Sequence, residues 1–119
     1  LVRYEGDWRQ YECGCYMGGT MMIGFEAGAI VEVPFYGTSA TLITDHHTSR
    51  GIGNIYLNDE LAGTVDFYAS PIVYSKEMFH TGELPEGAHL LRIEPTWTRH
   101  PDSRAFLIPF DALLVETEE

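Results

Sequence analysis

Apolar and polar residues alternate with a period of two along much of this chain, and helical periodicity is almost absent. That pattern constrains the fold more than any other feature, because a period of two puts one set of side chains on a single face of a pleated strand. In GAIVEVPFYGTSATLI, Ala29, Val31, Val33 and Phe35 share one face, while Ile30, Glu32, Pro34 and Tyr36 share the other. Gly37-Thr38 then turns the chain into a return strand, Ala40 to Thr44, so the stretch reads as a hairpin. GNIYLNDELAGTVDFY reads as a second hairpin, with Asn54 to Leu57 and Leu61 to Phe67 flanking a polar corner at Asn58-Asp59-Glu60. Further strands are predicted over Ile72 to Phe79, over Ala88 to Glu94 after the Leu84-Pro85-Glu86-Gly87 turn, and over Ala105 to Val115. Pro109 interrupts the last of these and, lacking an N–H, belongs at an edge or a bulge. The stretches most compatible with helix, Ser75 to Phe79 and Asp111 to Glu116, lack caps and a continuous apolar stripe. Short strands separated by turn signals predict an all-β fold, an antiparallel β-sandwich.

The chain has 119 residues, a length that predicts one domain spanning 1–119 with a proper core. Eighteen Asp and Glu against seven Lys and Arg give a formal charge of −11. Such a surface repels phosphate backbones and anionic headgroups, so nucleic acid and membranes are excluded as expected partners. No apolar run reaches the roughly 20 residues of a membrane span. A start at Leu1 rather than Met suggests an excised module or a mature fragment, and the acidic stretch Glu116 to Glu119 reads as the beginning of a linker. Cys13 and Cys15 are one residue apart, a spacing expected to strain a disulfide and to offer too few metal ligands, so buried free thiols are expected.

The order of signals resembles the galactose-binding-like jelly rolls used as carbohydrate-binding modules, and a related jelly roll precedes some carbohydrate esterase domains. The resemblance rests on Gly6-Asp7-Trp8, on GAIVEVPFYGT, on GNIYLNDELAGTVDFY, on ELPEGAHLLRIEP and on SRAFLIPFDALLV, which together cover almost the whole chain. The Asp-Gly usual in the second hairpin is replaced here by Asn58-Asp59-Glu60, which leaves the turn type open. These motifs read as structural. Gly37 is expected in a conformation closed to other residues, His89 as a packed, hydrogen-bonded histidine, Asp111 as an acceptor of backbone hydrogen bonds near a strand crossing, and Trp8 as a plug. Similar modules also hold calcium with loop carbonyls and carboxylates; Glu5, Asp7 and Asp111 are candidates that no spacing singles out.

If each connection reverses the chain, successive loops alternate between two ends. The Gly37, Asp59 and Pro85 turns fall at one end, and Thr20–Ala27, Thr44–Gly51, Tyr68–Pro71 and Thr96–Arg104 fall at the other. The second group gathers Trp97, Tyr68, Arg99, His100, His46, His47 and Arg50, with Asp102 and Arg104 nearby. An aromatic ring covers the apolar face of a sugar, and Arg, Asp or His bonds its hydroxyl rim. Trp97 reads equally as a ligand contact or as a ring partly buried beneath its loop. His46 and His47 are adjacent and point apart on extended chain, which argues against joint metal ligation. No Gly-X-Ser-X-Gly elbow, zinc signature or phosphate loop is present, so no catalysis is expected. The expected function is non-catalytic binding of a polysaccharide or oligosaccharide by a secreted or cell-surface module covalently linked to a glycoside hydrolase or esterase. The alternative is a structural jelly roll with no ligand of its own.

Overall fold

The computed structural model describes residues 2–117 as an antiparallel β-sandwich of eleven strands. Of the stretch expected to begin a linker, Glu116 is the last residue of a strand, and Glu118 and Glu119 lie outside the described residues. One layer is a five-stranded sheet in the order β1 (Arg3–Glu5), β4 (Ile30–Gly37), β9 (Gly87–Pro95), β6 (Ile52–Leu57), β7 (Glu60–Asp66). Facing it are two three-stranded sheets. One is β10 (Ile108–Phe110), β3 (Thr20–Gly24), β2 (Trp8–Glu12), and the other is β11 (Ala112–Glu116), β5 (Ser39–His46), β8 (Val73–His80).

The alternation works as the sequence implies. Ala29, Val31, Val33 and Phe35 are buried, as are Leu91 and Ile93 of β9, and all of these but Ala29 pack with Ile55, Val65, Leu42, Ile108 and Phe110 into the core between the layers. Trp8 plugs its margin, its indole N–H donating to the Glu5 carbonyl at 2.8 Å. Both helix-compatible stretches are strands, and among the described residues helix is confined to a 3₁₀ turn at Met17–Gly19. Thr20–Ala27, expected as a loop, begins instead with β3, while β1 and β2 went unforeseen because their short runs alternate weakly.

The first expected hairpin is not one. β4 bonds to β1 and β9, whereas β5 bonds to β11 and β8, so Gly37–Ser39 carries the chain from one layer to the other as an arch. Gly37 is required by close approach rather than by a special φ: a side chain there would strike the Glu116 carbonyl of β11. The second hairpin is real. Asn58 and Asp59 have φ of 53° and 68°, the two positive values of a type I′ turn, so Asn-Asp performs the role usually given to Asn-Gly. His89 is held as expected, bonding Asn58 Nδ2 through Nδ1 at 3.0 Å and the Pro85 carbonyl through Nε2 at 2.8 Å. Pro109 occupies the edge strand β10.

The cysteine expectation is overturned: Cys13 and Cys15 form a disulfide. Their Cα atoms lie 5.1 Å apart, inside the ordinary range for bridged cysteines, because the chain turns sharply at Gly14. Backbone bonds from Cys13 N to Gly19 O, 2.9 Å, and from Gly19 N to Tyr16 O, 3.1 Å, close the loop around it.

Candidate functional site

The long connectors meet at one end of the sandwich and are laced together by main-chain bonds. Ile52 N–H donates to Thr98 O at 3.0 Å, Arg104 N–H to Thr48 O at 2.9 Å, Gly51 N–H to Leu107 O at 2.8 Å and His47 N–H to Phe67 O at 2.9 Å. The buried Ser103 hydroxyl donates to Arg50 O at 2.7 Å, tying the 96–104 loop to the 44–51 loop. At the opposite end, Leu84 N–H donates to Thr38 O at 2.7 Å and Asn58 contacts His89, which gathers the three tight turns.

This framework sets each candidate side chain. Tyr68 stacks on His100 with centroids 4.5 Å apart and planes 8° from parallel. Trp97 lies half-buried against Phe106, centroids 5.1 Å apart, on backbone with φ of 56°, a left-handed conformation rare for an aromatic residue. Arg99 lies over the same Phe106 ring at 5.3 Å, and its guanidinium donates to the carbonyls of His100, Pro101 and Ser103, the last at 2.7 Å. It is therefore largely engaged in shaping its own loop. His46 turns toward the Asp66 carbonyl, 3.0 Å from Nε2, while His47 turns to Ser49, whose N–H and hydroxyl lie 3.2 and 3.0 Å from Nδ1. The two rings thus diverge.

Arg50 stands apart from the others. It is 4% exposed and grips the fully buried Asp45 through two bonds, Nε to Oδ1 at 3.0 Å and Nη2 to Oδ2 at 2.7 Å, with Nη1 on Ser49 Oγ at 2.9 Å. Its charge is spent inside the protein. Burial and the neighbouring Arg50 guanidinium push the His47 pKa down, which favours the neutral ring.

Beyond the rim lies a feature with no counterpart in the sequence reading. Pairing of Tyr11 with Met21 and Arg9 with Ile23 puts Tyr11, Ile23 and, by continuation, Phe25 on the face of β2 and β3 turned away from the main core. Above that face a cleft of about 200 Å³ opens, lined by Tyr11, Phe25 and Ile23 on the sheet side and by Tyr16, Leu107, His47, Ser49 and Arg50 opposite. Tyr16 belongs to the disulfide loop and meets Tyr74 edge-on at 5.9 Å. Arg9 sits over Phe25 at 4.2 Å while paired with Asp7. The only hint in the sequence was the aromatic residues spaced through the N-terminal segment.

Among the described residues no three His, Cys, Asp or Glu side chains cluster as metal ligands would. Asp7 holds Arg9, and Asp111 Oδ2 accepts the Met17 N–H at 3.0 Å, near the crossing between β10 and β11 as expected.

No family model matches the chain. It is similar to the A type blood alpha-D-galactosamine galactosaminidase of Flavonifractor plautii, 29% identical over 107 residues, which are 89% of this chain and 10% of that protein. The A type blood N-acetyl-alpha-D-galactosamine deacetylase of the same organism is 30% identical over 90 residues, 76% of this chain and 12% of that protein. Among solved structures, Paenibacillus xanthan lyase superposes with a TM-score of 0.73 at 18% identity, covering 98% of this chain and 12% of that one. An exo-beta-1,3-galactanase from Phanerochaete chrysosporium gives a TM-score of 0.59 at 13% identity, over 94% of this chain and 26% of its own. The structural likenesses establish the sandwich fold. The chain spans only about a tenth of the length of the curated relatives, which are carbohydrate-active enzymes, and it corresponds to a small part of each.

Proposed function

We propose that the chain is a non-catalytic, galactose-binding-like carbohydrate-binding module that brings an attached glycoside hydrolase or esterase to polysaccharide in a secreted or cell-surface protein. The observation that carries this reading is the convergence of Trp97, Tyr68, His100 and His46 on one laced loop end of the sandwich. Flat rings suit the CH faces of sugars, and histidine nitrogens suit their hydroxyls. Backbone held in a rare conformation, as at Trp97, concentrates at ligand contacts. The Cys13–Cys15 disulfide suits an oxidising compartment outside the cytosol. Two relatives named for galactosamine and N-acetylgalactosamine make terminal amino sugars the first ligands to try. A shallow site of this kind gains from avidity more than from single contacts.

Affinity electrophoresis on a polysaccharide panel and a glycan array carrying both amino sugars, each run with and without chelator, test the reading. We expect retardation on at least one polymer, weakened about tenfold by Trp97→Ala. Silence across the whole panel removes the reading. The purely structural role then remains, and it draws support from the exposed apolar side chains of β8 and β11, Val73, Tyr74, Leu114 and Val115, which a neighbouring domain could cover.

A further inference from the structure

We propose that a single uncharged pyranose ring is held in the cleft on the outer face of β2 and β3, with Tyr11 as its stacking wall and His47 and Ser49 as its hydroxyl partners. This rests on the carbohydrate-binding reading and adds to the loop end a second seat, of a different kind. The cleft has the make-up of a sugar site. Tyr11 is 43% exposed on the sheet side, Tyr16 lines the cleft from the disulfide loop, and the apolar, almost wholly buried Ile23 lines it as well. With Nδ1 engaged by Ser49, the His47 ring proton sits on Nε2, which offers one directional donor. Its volume, about 200 Å³, is below the roughly 300–1,000 Å³ of pockets for drug-sized ligands, so one ring fits and a chain does not.

The charge of the ligand follows from the groups around it. Among the described residues Arg50 is the one Lys or Arg that lines the cleft, and it is bound on both sides of its guanidinium by Asp45 and Ser49, so a carboxylated or sulfated sugar meets no unpaired cation there. Asp45 is sealed beneath Arg50, so an ammonium sugar meets no free anion there. A neutral ring is what remains, and the chain's net charge of −11 further disfavours acidic sugars.

The probes are the methyl glycosides of galactose, glucose, N-acetylgalactosamine, galactosamine and galacturonic acid, titrated against the chain while the aromatic resonances of Tyr11, Tyr16 and His47 are followed by NMR. At least one neutral glycoside should shift these resonances, Tyr11→Ala should weaken it tenfold or more, and the two charged glycosides should bind at least tenfold more weakly. Tyr36→Ala, on the far side of the molecule, should leave binding unchanged. A neutral glycoside that shifts Trp97, Tyr68 or His100 but neither Tyr11 nor Tyr16, or that binds Tyr11→Ala as well as the parent, overturns the cleft while leaving the carbohydrate-binding reading intact. Tight galacturonate binding overturns the charge argument. If the polysaccharide panel and all five glycosides fail to bind, both readings fall together.

Discussion

Asp45 is wholly buried, and a carboxylate taken out of water without a partner loses several kcal/mol of hydration. Arg50 offsets that loss with two parallel bonds, and the carbonyl of Arg50 in turn holds the Ser103 hydroxyl, so one residue joins a buried charge to the lacing of the loop end. Arg50→Met should therefore lower stability by about 3–5 kcal/mol in urea unfolding, the cost of leaving a buried charge unpaired. The double change Asp45→Leu with Arg50→Met should cost clearly less than the sum of the single changes. A loss under about 1 kcal/mol for Arg50→Met would show that water reaches Asp45. The same neighbourhood contains Asp111 Oδ1, a buried oxygen without a hydrogen-bond partner among the described residues, and burial together with nearby Asp45 raises the Asp111 pKa.

At the scale of elements, the two motifs that look alike in sequence end differently. Both the Gly37 and the Asn58 corners sit between alternating strands, but only the second closes a ladder. What decides is the partner of each strand: β5 bonds to β11 and β8, which lie far from it in sequence, and local patterning carries no record of that choice. The I′ geometry at Asn58-Asp59 gives a direct check. Asp59→Val, which puts a β-branched residue at φ 68°, should destabilise the protein by about 1–2 kcal/mol, whereas Asp59→Gly should be neutral or stabilising by thermal melting. Equal effects of the two would refute the turn assignment. The strands, their inward faces and the grouping of long loops were legible because periodicity and turn residues act locally. The outer-face cleft was not, because it is assembled from β2, β3, the disulfide loop and the 44–51 loop, and only pairing at long range brings these together. Arg50 illustrates the same limit: its residue type suggests a hydroxyl partner, while its burial against Asp45 is visible only in three dimensions.

At the scale of the molecule, most ladders join strands remote in sequence, among them β3 with β10, β5 with β11 and β4 with β9, so much of the sandwich depends on late-arriving segments. The stretch from Ile108 to Glu116 supplies the outer strand to both three-stranded sheets, β10 to one and β11 to the other, with Asp111 at the step between them. One short stitch thus hems two seams. A proteolytic clip just before Ile108 would strip both at once, baring the backbone donors and acceptors of β3 and β5 as open templates for neighbouring copies. The clipped protein should accordingly clump into oligomers during size-exclusion chromatography. Elution as a well-behaved monomer would mean that the seams hold without their hem.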